Sequence, residues 1–451
     1  MLLVAQGNAL AEHILGDAQS RDLPLEGAIG VGQTDEEGLI RLLGLCATLN
    51  VPALLVALHR PPSAELLWRL GALERRVLLM LVGRARGPVA LRSPALPLPA
   101  PGTADLARAA GIPAAGCPAE LVELAHLQRL AFTAAPTRVS IRARGEDDAA
   151  LAHDAITRAG LHPVGAASDL TIVTPGAPVP PTGRWLRLTP ASRRPLTPRE
   201  ARHETLAALG ILARLPSAGP PSRPSTRAHA LLDGWHRELT EVMLEPVLAC
   251  YGIKMPPSGL AQSASMAGVL ARQLGGPVAV KAVAPALNHR LDRGATRLDV
   301  QGVSAARQAF RDVLQACDAL RPRPDLDGVL VQTMVPAGPR LQCLIRWATP
   351  SDQPQPPLML LRLPPHDTGV HPCPLGDSDA LDIARSLWTG PLPPLARLLR
   401  QLSRLASDLT GRMRWLWIDS ISLPAPGHPP RVLDAVGEQT ESLRRGYTGL
   451  L

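Results

Sequence analysis

Short apolar strands alternate with helical segments through the first third of the chain, and this alternation limits the possible folds more than any other feature. Strands of this kind, separated by single helices, pair in parallel and form a sheet covered on both faces. Helical patterns at 104–111 and 119–131 close the domain, which we predict to span 1–133. The predicted strands are "LLVA" (2–5), "GAIGVG" (27–32), "PALLVAL" (52–58) and "RRVLLMLVG" (75–83).

The pattern changes twice further along the chain. Residues 137–192 contain a strand, a helix and a second strand, which predicts a partial second α/β unit. Residues 193–229 are rich in Pro, Ser and Arg and predict a linker, interrupted by a helix around 203–214. In residues 230–451 strands first join helices and then pair with one another, which is typical of an α+β domain with a mixed sheet.

Composition excludes several classes of protein. The chain is 46% apolar and 19% charged, which indicates globular domains rather than disorder. The net charge of +8 comes from scattered arginines without interleaved aromatic residues, so we expect no nucleic-acid partner. No apolar run reaches the roughly 18 residues of a membrane span, so we expect no membrane partner. Six dispersed cysteines and an N-terminal segment without signal-peptide character favour the cytoplasm.

One lysine stands out in a chain that has almost none. Of the 47 basic residues only Lys254 and Lys281 are lysine, and Lys281 lies in the apolar run "GGPVAVKAVAP" (275–285). A lysine at a strand end can reach into a cleft and bind phosphate oxygens. The alternative is a lysine whose ammonium reaches solvent from a half-buried strand. Its rarity favours the phosphate-binding interpretation.

The segment after this lysine has the composition of a phosphate-binding loop. It reads "APALNHRLDRGATRLDV" (284–300) and contains basic side chains on both sides of a short Gly/Ala turn. Such a turn lets backbone N–H groups approach a polyphosphate while the cations neutralise it. The candidate residues are His289, Arg290, Gly294, Ala295 and Arg297.

Three stretches together resemble the ATP-grasp domain of NDP-forming acyl-CoA synthetases. They are "YGIKMPPSGLAQSASMAGVLARQLGGPVAVKAVAPALNHRLDRGATRLDVQG" (251–302), "DGVLVQTMVPAG" (327–338) and "RVLDAV" (431–436). Through "LVAQGNAL" and "VLLMLVGRA", the first third resembles the succinyl-CoA-ligase-like flavodoxin domain of the same proteins. The arrangement is most similar to the ligase-like region of Pat-type protein lysine acetyltransferases. The implied fold is α/β, with flavodoxin-like parallel-sheet domains followed by an α+β ATP-grasp domain.

The resemblance implies a site for ATP or ADP with Mg²⁺, and a link to CoA. Lys281 would hold the nucleotide phosphates, and the loop residues 289–297 would line the same cleft. The segment "VQTMV" would be a hinge whose backbone binds adenine, and "LWIDS" would supply a magnesium ligand where the family usually has Asn. The implied hinge residues are Gln332, Met334 and Val335, and the implied metal ligand is Asp419.

The sequence also departs from the family pattern. Where ADP-forming synthetases carry a phosphohistidine, the loop reads "ALRSPALP" (90–97), with Arg92 and Ser93 at the expected place. Arg340 replaces an acidic residue after the hinge, and Trp415 replaces a glutamate. Pro364 and Pro365 replace part of a Gly-rich stretch, where they remove backbone donors. We therefore predict no catalytic residues and expect a degenerate, nucleotide-binding protein.

In the family a CoA-binding domain stands before the first of these strands, and in Pat-type proteins an acetyltransferase domain is also present. The sequence shown contains neither, so we expect that a separate CoA-binding or acetyltransferase subunit supplies them, that the gene is truncated, or that the start codon is misassigned. The sequence also allows an oligomer. Three hypotheses follow: a regulatory protein or subunit in acyl-CoA or protein-acylation metabolism, an active ADP-forming acyl-CoA ligase completed by a CoA-binding partner, and an interaction module that binds no nucleotide.

Overall fold

The computed structural model divides the chain into two compact units, residues 1–216 and 217–451. The structure describes residues 1–32, 35–49, 51–73, 76–83, 102–129, 138–159, 161–165, 168, 170–175, 177–180, 185–188, 200–201, 203–213, 215, 224–233, 235, 238–284, 287, 294–347, 355–364, 369–423 and 428–440.

The first unit begins with the predicted parallel sheet. Its five strands lie in the order β2-β1-β3-β4-β5, and every neighbouring pair is parallel. The strands are β1 (Leu2–Gln6), β2 (Gly27–Val31), β3 (Ala53–Leu58), β4 (Arg76–Leu81) and β5 (Ala114–Ala115). The helices are α1 (Asn8–Ser20), α2 (Glu36–Thr48), α3 (Ala64–Gly71), α4 (Thr103–Ala109) and α5 (Pro118–Arg129).

Local sequence signals explain where these elements begin. Asp35 caps α2 by accepting a hydrogen bond from the Gly38 N–H at 2.8 Å, and Ser63 caps α3 in the same way. Gly7 takes a positive φ of 98° in the turn between β1 and α1, a conformation that side chains disfavour. Every residue of β3 is buried, which explains its unbroken apolar run and confirms that both faces of the sheet are covered.

A second parallel sheet follows in the same unit. It has five strands in the order β10-β9-β8-β6-β7. These are β6 (Arg138–Arg142), β7 (His162–Pro163), β8 (Leu170–Val173), β9 (Trp185–Leu188) and β10 (Glu200–Ala201), with helices α6 (Glu146–Arg158) and α7 (His203–Ala213). Four of these strands, β7, β8, β9 and β10, have only two to four residues, a length over which an alternating pattern gives little signal.

Helix α7 belongs to the core of the first unit, although it lies in the segment expected to be a linker. Leu206, Ala208 and Leu209 are buried in the same apolar cluster as residues of the first sheet. The Thr205 hydroxyl donates a hydrogen bond to the buried Glu123 carboxylate at 2.9 Å. This part of 193–229 is therefore fixed by burial, whatever its Pro-rich flanks suggest.

The second unit contains two antiparallel sheets. A four-stranded sheet has the order β12-β15-β13-β14, and a six-stranded sheet has the order β11-β20-β19-β16-β17-β18. The strands are β11 (Glu238–Leu239), β12 (Ser258–Ala261), β13 (Val278–Val283), β14 (Thr296–Val300), β15 (Gly328–Thr333), β16 (Arg340–Arg346), β17 (Leu358–Arg362), β18 (Gly369–Pro372), β19 (Met413–Ser422) and β20 (Arg431–Gln439). The helices are α8 (Thr226–Asp233), α9 (Glu241–Cys250), α10 (Ala264–Leu274), α11 (Gly302–Ala319), α12 (Asp377–Leu387) and α13 (Leu392–Asp408).

The apolar pattern over residues 230–252 predicts one continuous helix, and this prediction is wrong. The structure contains α8, then β11, then α9. Strand β11 pairs with β20, and the buried Leu239 lies opposite Gly437. Burial of one leucine in the sheet outweighs the local helical preference, a common outcome where tertiary packing and propensity disagree.

Each sheet of the second unit has its own core. Helices α10 and α11 pack on one face of the four-stranded sheet, with Phe310 and Val313 among the buried residues. Helices α8, α9, α12 and α13 bury one face of the six-stranded sheet. Among the described helices, none is both long enough and apolar enough to cross a membrane.

A buried carboxylate ties α8, α9 and α13 together. Asp408, at the end of α13, accepts hydrogen bonds from the Tyr251 hydroxyl at 2.5 Å, the Ser225 N–H at 2.7 Å and His229 Nε2 at 3.0 Å. Burial by itself raises the pKa of Asp408, but these hydrogen bonds outweigh it and hold the pKa below its ordinary value. The ionised form of Asp408 therefore stabilises the fold.

We expect Asp408→Asn to lower the free energy of unfolding by about 2 kcal/mol at pH 7, because hydrogen bonds to a charged group are lost. A depressed folded-state pKa contributes stability that is present above the unfolded value, about 3.9, and is lost as the pH falls through the folded value. Urea unfolding should therefore show a constant wild-type-to-variant difference from pH 7 to 5 and a smaller one near pH 3. Asp377→Asn, on an exposed side chain, is the control. A difference that stays unchanged at pH 3 would contradict the assignment.

Candidate functional site

A cleft of about 610 Å³ lies within the second unit, between the four-stranded and the six-stranded sheet. Strands β13, β14 and β15 line one wall, and β16, β19 and β20 line the other. The segment that joins β15 to β16 closes one end through Met334, Val335 and Pro339. This volume is typical of small-molecule sites.

The alternation of side chains along each strand decides which residues face the cleft. On β13, Ala279 and Lys281 line the cleft, while Val280 lies in the core under α10 and α11. On β14, Thr296 and Leu298 line it. Thr296 is the direct cross-strand partner of Lys281, so the two side chains share a face.

Lys281 is buried, and its ammonium is already engaged. Its Nζ lies 2.5 Å from Oε2 of Glu241 and donates to the Leu433 carbonyl at 2.7 Å. Glu241 is the first residue of α9, where the helix dipole favours a carboxylate. The ammonium has three N–H donors, so these two bonds leave one for a ligand. Lys281 thereby links β13 of the four-stranded sheet to β20 of the six-stranded sheet.

Five of the predicted site residues come together in this cleft: Lys281, Gln332, Met334, Val335 and Asp419. They come from β13, the hinge and β19, which are separated by up to 138 residues along the chain, the difference between positions 281 and 419. His289 and Arg290 lie outside the described residues.

Gly294, Ala295 and Arg297 have different surroundings from those expected. Ala295 is fully buried in the core under α10 and α11. Arg297 pairs with Val280, on the face of the sheet opposite Lys281, and its Nη1 donates to the carbonyls of Gly294 and Thr296. In place of Arg297, Thr296 faces the cleft. Arg297 therefore does not line the cleft as expected, and the preceding residue, Thr296, does. The reason is that neighbouring residues of a strand point to opposite faces of the sheet.

The hinge presents side chains as well as backbone. Gln332 lies inside β15 between β12 and β13, so its backbone belongs to the sheet. Its amide Nε2 is buried and has no hydrogen-bond partner within the described part of the chain. The Met334 N–H donates to Pro277 at 3.1 Å. A buried unpaired donor costs about 1–3 kcal/mol, which a ligand acceptor would recover.

Two carboxylates line the opposite wall of the cleft. Asp419 on β19 accepts a hydrogen bond from Gln342 Nε2 at 3.2 Å, and Asp434 on β20 also lines the cleft. One or two carboxylates completed by substrate phosphates suit Mg²⁺. The described residues contain no cluster of three or more His, Cys, Asp or Glu that could hold a metal without such a ligand. The cleft therefore fits a metal that arrives with a phosphate.

Sequence reasoning missed Asp434 and Glu241. Asp434 lies within "RVLDAV" but was not distinguished from the rest of that strand. Glu241 could have been suspected, because a lysine buried in an apolar strand requires a carboxylate partner. The apolar segment "LTEVMLEPV" contains two candidates, Glu241 and Glu245, and only the structure chooses between them.

We expect Lys281→Met to lower the free energy of unfolding by about 3–5 kcal/mol, because it leaves the Glu241 carboxylate buried without its partner. The double variant Lys281→Met/Glu241→Leu should recover most of this loss, since an apolar pair can replace a buried ion pair. Urea unfolding of all four members of the cycle measures the coupling. Lys254→Met removes the chain's other, exposed lysine and should change stability by less than about 0.5 kcal/mol. Additive single losses in the double variant would rule out the buried pair.

A family model for the ATP-grasp domain matches residues 230–351, which include β13, β14, β15 and the hinge. Two similar proteins are acetate–CoA ligases described as ADP-forming. The chain is 32% identical over 103 residues to subunit beta of the Pyrococcus furiosus enzyme I, covering 23% of this chain and 44% of that protein. It is 38% identical over 96 residues to the Archaeoglobus fulgidus enzyme I, covering 21% of this chain and 14% of that protein.

The matched part of the chain thus spans less than half the length of these curated relatives. Among solved structures, acetyl-coenzyme A synthetase 1 of Ca. Korarchaeum cryptofilum is 22% identical, with a TM-score of 0.42, and covers 47% of this chain and 97% of that chain. The two-sheet cleft, the hinge and the matched segment lie in the same unit. Residues 230–351 therefore match an ATP-grasp domain, and about 100 residues of the chain are similar to ADP-forming acetate–CoA ligases of the NDP-forming acyl-CoA synthetase family.

Proposed function

We propose that the cleft binds ATP or ADP with Mg²⁺, and that the chain is the nucleotide-binding component of an acyl-CoA ligase or protein-acylation system. The observation that carries this proposal is the convergence of Lys281, the hinge and two carboxylates on one cleft. Lys281 would donate its remaining N–H to a phosphate oxygen, and Val335 would offer backbone groups to adenine. Asp419 and Asp434 would hold Mg²⁺, which would neutralise charge on the phosphates.

A binding or regulatory role is favoured over complete catalysis. The chain contains no histidine between His59 and His126, so "ALRSPALP" (90–97) offers no phosphohistidine; that loop lies outside the described residues. The Arg340 guanidinium in the cleft is a further departure from an acidic residue. Both features support a domain that retains nucleotide binding without phosphoryl transfer.

A partner chain would supply the remaining functions. One relative is named as the beta subunit of an ADP-forming acetate–CoA ligase, so an arrangement in subunits exists among similar proteins. We propose a CoA-binding subunit as the first candidate partner and an acetyltransferase subunit as the second. The free cysteines of the described chain favour a reducing compartment, and we place the protein in the cytoplasm.

Isothermal titration calorimetry with ADP and ATP, with and without Mg²⁺, tests the proposal. We expect binding to both nucleotides that is stronger with Mg²⁺. Asp419→Asn should weaken binding of Mg-ADP about tenfold, or about 1.4 kcal/mol, and should leave metal-free ADP binding nearly unchanged. Asp382→Asn, on the exposed surface of α12, is the matched control.

The alternatives give different results. A flat titration with ATP, ADP and CoA would favour an interaction module that binds no nucleotide. Release of ADP or phosphate on addition of CoA, an organic acid and a CoA-binding partner would favour an active ligase.

A further inference from the structure

We infer that Arg340 is the residue that binds the nucleotide phosphates with an uncompensated positive charge. This inference rests on the proposed nucleotide binding and adds a residue that determines which ligands the cleft accepts. Arg340 is the first residue of β16 and lines the cleft at the end of the hinge. In the described part of the cleft wall, the basic residues Lys281 and Arg340 differ in their electrostatic surroundings.

The charge of Lys281 is largely neutralised within the protein by the Glu241 carboxylate. Its ammonium lies 2.5 Å from the Glu241 carboxylate, and only 7% of its side chain is exposed. A phosphate approaching Lys281 therefore also approaches Glu241, and the net charge of the pair is zero. Lys281 can donate one hydrogen bond to a ligand but can offset little of a diphosphate's charge.

The surroundings of Arg340 are different. Within the described residues it forms no ion pair, and its one hydrogen bond runs from Nη2 to the Pro336 carbonyl at 2.9 Å. The other N–H groups of the guanidinium fork remain for a ligand, and their planar arrangement matches two phosphate oxygens. Burial lowers the pKa of Arg340, but arginine stays protonated in proteins. A half-buried, unpaired cation in a cleft is an anion-binding group.

The neighbouring side chain supports a built polar site. Gln342 lies two residues further along β16 and also lines the cleft, while Leu341 and Cys343 point into the core. The Gln342 amide donates to Asp419, and its Oε1 is buried without a hydrogen-bond partner within the described residues. Strand β16 thus presents the Arg340 guanidinium to the cleft. Gln342 of the same strand orients the Asp419 carboxylate toward the cleft. A metal–phosphate group has complementary charges for both.

The competing interpretation is that Arg340 only fixes the hinge through Pro336. A hinge role would affect every ligand that contacts the hinge, whereas a phosphate contact would affect only ligands with phosphates. ADP, AMP and adenosine share the same base and ribose and differ only in phosphates. Comparing them separates the two roles.

The experiment is equilibrium dialysis of the full chain with radiolabelled ADP, AMP and adenosine, with Mg²⁺ present. For Arg340→Gln we expect ADP affinity to fall about tenfold or more, while adenosine affinity stays within about twofold. Arg340→Lys keeps the charge but loses the planar fork, so it should recover part of the ADP affinity. Arg385→Gln, on an exposed arginine of α12, is the matched control and should change nothing.

The other outcomes overturn the inference. An equal loss for ADP and adenosine would assign Arg340 to the hinge alone. Unchanged ADP affinity in Arg340→Gln would show that the guanidinium does not contact the phosphates. If the wild type binds ADP, either result leaves the proposed nucleotide binding intact. If the wild type binds none of the three, the proposed function fails first.

Discussion

The buried ion pair between Lys281 and Glu241 is the interaction on which the second unit depends. It joins a strand of the four-stranded sheet to α9, and a hydrogen bond to Leu433 continues the connection to β20. Taking two charges out of water is expensive, so such a pair persists only with close geometry and further hydrogen bonds. Here both conditions hold, and the helix dipole adds support at the carboxylate. The pair thus connects the two sheets at the wall of the cleft.

Lys281 cannot both hold the two sheets together and offset the charge of a bound phosphate. A cation that holds two sheets together must be matched by a carboxylate, and a matched cation attracts phosphate weakly. The cleft has a second cation, Arg340, on the opposite wall. Its guanidinium remains charged at any physiological pH, so it can serve a ligand without a protein counter-ion. Lys281 thus connects the two sheets, and Arg340 makes the proposed contact with phosphate.

Several features of the site could be read from the sequence because they are local. The resemblance to an ATP-grasp domain rests on contiguous segments, and three residues that it singled out, Lys281, Gln332 and Asp419, line one cleft. Errors arose where a side chain's direction or a distant contact decides the outcome. Arg297 was expected in the cleft, but its strand turns Thr296 inward instead. Burial of Leu239 against β20 breaks the predicted helix over 230–252.

The sequence by itself determined most of the succession of longer strands and helices, since hydrophobic periodicity is a property of short windows. It also singled out Lys281, because a lysine is rare in this chain and apolar neighbours make its charge costly. Only the tertiary structure decided the partners of that charge, which lie 40 and 152 residues away. It alone also showed that Arg340 faces the cleft and forms no ion pair with the part of the chain that the structure describes. Contacts of this kind depend on how sheets pack, and no local pattern encodes that packing.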